Sequence, residues 1–284
     1  MKAKSFLKHT GLALGYLGVF FLLQYWVTYL YLIGAGAGLA VGGLTDFDAL
    51  MDTLVNVSIE QLDVIMLLIY IISLAFYGCF LFAEQPDAPL RAAHIQKTRR
   101  TAMLWSPVLL GVSFFFAVQG GLMLIPEDVP LMQDYIESSS VLDESLFPFL
   151  SLITTVIGAP LVEEIVFRGL IYKHLKRAMP VWLAVIIQAL LFGIAHGQLL
   201  WMAYTFVLGT VFALLYDYFD SLWPCILAHF VFNSCNYLPF LETLTLESVG
   251  WLIVMLASLL LSALTMLLLV LYRNLMERST ARYV

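Results

Sequence analysis

From Leu12 to Tyr272 the chain is a succession of uninterrupted apolar runs of about 20 residues, separated by short polar gaps. A run of that length predicts a helix that crosses a bilayer, because inside hydrocarbon a single segment satisfies all its backbone groups only by coiling on itself. Eight runs reach spanning length, at 11–33, 62–83, 103–125, 149–172, 181–198, 199–217, 221–239 and 250–272. Only Gly197 and its neighbours part the fifth from the sixth. The pattern therefore predicts an all-α fold, a polytopic membrane helical bundle with about eight transmembrane helices. It is expected to form a single membrane domain over 1–284.

Composition agrees. Of 284 residues, 62% are hydrophobic and 12% charged, where a soluble protein carries about a quarter charged residues. With a mean hydropathy of +0.92, this excludes a water-soluble globule. Cys79, Cys225 and Cys235 all lie in apolar runs without a C-x-x-C pair, which reads as structural filler. The basic start followed by the first run resembles a signal peptide, but the run is about twice the length of a signal's apolar region. It is expected to be a retained anchor. The small-residue stretch Gly34 to Gly38 lacks the strand and the Lys-Ser/Thr of a phosphate loop and is expected to let helices approach closely.

Charge adds orientation. All 14 Lys and Arg fall on one set of flanks: Lys2, Lys4 and Lys8; Arg91, Lys97, Arg99 and Arg100; Arg168, Lys173, Lys176 and Arg177; Arg273, Arg278 and Arg282. The alternate loops hold only acids, from Asp46 to Asp63, from Glu127 to Glu144, and Glu242 with Glu247. By the positive-inside rule both termini face the cytoplasm.

Ionisable side chains within spans are costly and each asks for a reason. This chain concentrates them in Glu163, Glu164 and Arg168 of the fourth run, His196 of the fifth and His229 of the seventh, with Asn233 one turn later. Glu164 and Arg168 share a helix face, acid before base, whereas Glu163 points elsewhere. One glutamate is thus expected to be neutralised while its neighbour stays available. His9, His94 and His174 sit in flanks and read as solvated. The other runs offer few polar groups besides Gln24, Gln119 and Gln188.

Met179 and Pro180 form the expected turn between the fourth and fifth runs, and Glu163 and His196 are equidistant from it. An antiparallel hairpin would set them at equal depth. A carboxylate in an apolar setting is moved by desolvation toward a useful general base. Glu163 is the candidate, with His196 sharing the proton or orienting water, and His229 and Asn233 stabilising an oxyanion. That is the chemistry of acyl-bond hydrolysis, most simply of a peptide. A metal version of the site would use His196, His229 and Glu163 around a zinc-like divalent ion, although the H-E-x-x-H helix is absent. Serine or cysteine nucleophiles fit poorly, because no G-x-S-x-G elbow is present and no cysteine has an evident partner.

Glu163-Glu164-x-x-x-Arg168, Phe192-x-x-x-His196 and His229-x-x-x-Asn233, in this order on separate helices, resemble the CPBP family of intramembrane endopeptidases, the CAAX proteases and bacteriocin-processing enzymes also called the Abi family. The resemblance implies a glutamate- or metal-dependent intramembrane protease with a catalytic core at about 149–240. It implies Glu163 as the water-activating residue, Glu164 and Arg168 as its supporting pair, and His196, His229 and Asn233 as the remaining catalytic groups. Implied partners are the lipid bilayer and a membrane-associated peptide or protein substrate, with no nucleic acid. The implied location is the bacterial plasma membrane. Residues 1–140 carry no matching motif. Two other readings stay open: a proton- or ion-coupled transporter, and a non-catalytic membrane scaffold or immunity protein whose polar set only fixes helix packing.

Overall fold

The computed structural model describes residues 3–84, 103–143, 146–238 and 244–281. Among them are ten helices: α1 (Ala3–Val41), α2 (Phe47–Glu60), α3 (Leu62–Glu84), α4 (Trp105–Leu122), α5 (Pro130–Asp143), α6 (Pro148–Ala178), α7 (Val181–Ile194), α8 (Leu199–Phe219), α9 (Trp223–Cys235) and α10 (Ser248–Ala281). The protein is an all-helical, integral membrane protein. Each of the eight apolar runs holds a helix, yet among the described residues only α1, α3, α4, α6, α8 and α10 are long and apolar enough to cross a membrane. α7 and α9, with 14 and 13 residues, are shorter than a span. The run-length argument cannot see this difference, because Gly197 ends α7 inside a stretch of continuous apolarity.

Two helices were not expected. α2 is nucleated by Asp46, whose Oδ1 accepts from the Ala49 backbone N–H at 2.9 Å. α5 starts on Pro130, a residue suited to the first helical turn. Lys2, Arg91, His94, Lys97, Arg99, Arg100, Glu144, Glu242 and Arg282 of the charge pattern lie outside the described residues, as do the side chains of Asp143 and Arg278.

The helices gather into two compact units, Met1–Ala83 with Asp134–Met179 and Glu84–Gln133 with Pro180–Val284. In the first, α1 packs along the C-terminal half of α6 and against α2. The Tyr77 hydroxyl of α3 donates to the Tyr16 carbonyl of α1 at 2.9 Å, and the Phe20 ring meets Phe167 of α6 edge-on. At Gly36, within the small-residue stretch of α1, an added Cβ would lie 3.4 Å from Leu54 of α2. That is ordinary van der Waals contact with a side chain, and Gly34 and Gly38 meet nothing within 4 Å, so the close helix approach expected of this stretch is not seen at its glycines.

His9 and His174 correct the solvated reading. Their Nδ1 atoms lie 2.9 Å apart, their rings stack, and His174 is 2% exposed. α6 continues past its apolar run to Ala178, and this carries His174 into a contact with α1 that hydropathy does not reveal.

In the second unit α4 is the central strut, packed against α9 and α10, while α7 and α8 form a hairpin and α8 packs on α9. Its core joins Leu110, Phe115, Leu208, Phe212, Leu215 and Phe232 with their neighbours. Two glycines of α4 set its distances. A Cβ on Gly111 would meet the Ala228 carbonyl of α9 at 2.6 Å, and one on Gly120 would meet the Trp251 carbonyl of α10 at 2.9 Å. Small residues allow this backbone approach, which drives helix association in lipid. Ser113 and Ser262 join α4 to α10 by a buried 2.7 Å hydrogen bond. The cysteines are free, and Cys225 donates to the Phe212 carbonyl at 3.1 Å, in keeping with a structural role.

Candidate active site

α6 is not a uniform α-helix. Thr154–Gly158 and Ile165–Tyr172 are wider π-helical turns, and Ala159–Glu164 between them is α-helical. Pro160 supplies one cause: it has no N–H to close onto residue 156 and its ring crowds that carbonyl. The chain instead closes with the Ala159 N–H donating to the Thr154 carbonyl, five residues back. Such bulges are frequent at functional sites. Here they bracket the two glutamates.

Glu164 and Arg168 are both 0% exposed, and an Arg168 guanidinium nitrogen donates to Glu164 Oε1 at 2.8 Å. This is the ion pair the spacing predicts. Glu163 is half-buried with its Oε2 enclosed, and it interacts electrostatically with Tyr70 of α3. The Tyr70 ring packs against α6 so closely that a Cβ on Gly158 would come within 2.6 Å of it. Tyr70 was missed in the sequence, since a tyrosine in a span carries no distinguishing local signal.

The second unit holds the other three residues. His196 lies in the turn after α7 and not within a spanning helix, which corrects its expected setting. Gly197, with φ at +74°, closes that turn in the left-handed region that favours glycine, and the Gln198 side chain then caps α8 by accepting from the Trp201 N–H at 2.9 Å. His196 Nδ1 lies 2.8 Å from the Phe192 carbonyl. A carbonyl only accepts, so Nδ1 carries the proton and, in the neutral ring, Nε2 presents its lone pair. The F-x-x-x-H spacing thus has a physical meaning: one helical turn brings the phenylalanine carbonyl under the imidazole and fixes its tautomer.

The Phe192 ring meets both histidines edge-on, His196 at 4.8 Å and His229 at 6.1 Å between centroids. Phe212 of α8 covers His229 at 5.3 Å. His229 is buried on α9, and Asn233, half-buried, follows one turn later. This unit therefore gathers two imidazoles around one aromatic ring. Ser234 donates to the Phe230 carbonyl at 2.7 Å, which occupies its hydroxyl proton. Among the described residues no three His, Cys, Asp or Glu side chains are grouped so as to hold a metal ion.

Fold and site define a polytopic helical membrane protein with acidic and imidazole groups placed on short, capped or bulged segments. Comparison with known proteins finds a family match for part of the chain. Residues 145–235 match the family described as type II CAAX prenyl endopeptidase Rce1-like. This supports the CPBP resemblance for that segment, and it encloses all six site residues. The chain is also 31% identical over 87 residues to the protein of Bacillus subtilis (strain 168) named "Putative membrane peptidase YdiL", covering 31% of this chain and 35% of that protein. The chain thus matches about a third of the length of this curated relative. No solved structure matches.

Proposed function

We propose that the protein is an intramembrane endopeptidase that hydrolyses a peptide bond in a membrane-associated protein or peptide. Glu163 takes a proton from water as its oxygen attacks the carbonyl carbon. His229 and Asn233 donate to the oxyanion of the tetrahedral intermediate, where preorganised donors contribute several kcal/mol. His196, with Nε2 available, holds or relays the proton that the leaving amine receives as the C–N bond breaks. Glu164 and Arg168 hold the carboxylate-bearing turn. The observation that carries this reading is that one matched segment, 145–235, contains every residue assigned.

The test is a comparison of protein termini by mass spectrometry between cells with the native protein and cells with Glu163→Gln, His196→Ala or His229→Ala. Each change is expected to lower formation of a specific new terminus by about 100-fold or more, with membrane abundance unchanged. Normal cleavage in all three would end the proposal. Ion flux through reconstituted vesicles that disappears with Glu163→Gln would favour the transporter.

A divalent ion is the second reading, favoured by the posture of His196: its Nδ1 is tied to a carbonyl, which leaves the Nε2 lone pair as the donor a metal would take. Loss of cleavage on chelation, restored by zinc, supports it; full activity in chelator rejects it. The reading further places the protein in the bacterial plasma membrane with both termini in the cytoplasm. Thiol labelling of Lys4→Cys from the outside of intact cells would overturn that orientation.

A further inference from the structure

Gln188 is used by neither the packing nor the chemistry above. It lies on α7 at 0% exposure, and neither its carboxamide oxygen nor its nitrogen is hydrogen-bonded to any described residue. A buried amide without a partner is destabilising, and a leucine of similar size would fill the same place without that penalty. A group of this kind asks for a partner outside the chain.

Its position says which. Gln188 precedes Phe192 by one turn on the same face of α7, about 6 Å along the axis, and the Phe192 ring touches both His196 and His229. Its neighbours Ala184, one turn back, and Ala189, beside it, are small and also fully buried. A carboxamide offers two donors and an acceptor, suited to water, which is held inside proteins by two to four polar contacts. Peptide hydrolysis consumes one water for each bond cut, and within hydrocarbon that water has to be stored by the protein.

We propose that Gln188 is a positioning residue for this hydrolysis: its carboxamide retains water beside Phe192 and keeps the imidazole pair supplied within the bilayer. The inference rests on the peptidase reading. Its signature is a split between stability and rate. In Gln188→Leu the purified full-length protein is expected to keep or raise its Tm, while kcat for a reporter peptide falls about tenfold or more and KM stays within about twofold. Gln188→Asn, which keeps the amide, is expected to fall between the two.

Hydroxyl-radical footprinting in bicelles reads the water directly, with Phe192 oxidised in the native protein and protected in Gln188→Leu. Native kcat in Gln188→Leu, a fall in Tm with an unchanged rate per folded molecule, or Phe192 labelling that ignores the substitution would each overturn the inference. Should the native protein show no Glu163-dependent cleavage at all, the peptidase reading falls on its own, and the footprint still decides whether Gln188 holds water.

Discussion

Replacing Arg168 by alanine strips Glu164 of its guanidinium partner in a place where neither side chain has any exposed surface. Taking one member from a buried ion pair costs about 3–5 kcal/mol, because the remaining charge keeps its desolvation penalty and loses its compensation. Arg168→Ala is therefore expected to be among the most destabilising single changes in the chain.

Glu164→Leu removes the carboxylate from beside the buried guanidinium and is expected to cost a similar amount. The double change Glu164→Leu/Arg168→Met removes both charges and is expected to recover most of the stability. Reversible unfolding in bicelles measures all three. A loss of less than about 1 kcal/mol in Arg168→Ala, or a double variant no more stable than the single one, would refute this expectation.

Other contacts make smaller, separate predictions. Gly111→Ala drives a methyl to within 2.6 Å of the Ala228 carbonyl and should destabilise by about 1–3 kcal/mol, read as a lower Tm; an unchanged Tm would show that α9 yields easily. Gly197→Ala forces an L side chain to a φ of +74° and should cost about 1 kcal/mol or more. Its effect on cleavage should exceed its effect on stability, because it displaces His196, and Gly197→Asn should be milder. Ser113→Ala should cost about 0.5–1.5 kcal/mol, and adding Ser262→Ala should cost little more, since both truncate one hydrogen bond.

Within single helices, much of this molecule was legible. Eight apolar runs became helices because each needs only its own backbone to satisfy its hydrogen bonds in lipid. The Glu164–Arg168 contact followed from a four-residue spacing, as did the shared turn of His229 and Asn233. Both are properties of one helix, and covalent register fixes them. The short polar-face helices begin at Asp46 and Pro130, local start signals that the hydropathy of the long runs overshadows.

What the chain alone determined is a membrane-embedded helical protein with six chemically unusual residues in a fixed order. Tertiary structure decided the rest. That His9 meets His174 across 165 residues, that Tyr70 lies against the turn bearing Glu163, and that Gly111 admits the backbone of α9 depend on which helix lies beside which. So does the enclosure of Gln188, whose amide looks in sequence like any other polar residue in a span. In lipid, helices are sorted by close fit and by hydrogen bonds between them, since burial from water no longer distinguishes one apolar face from another. Such fit is a property of pairs of surfaces, and no local pattern in one segment contains it.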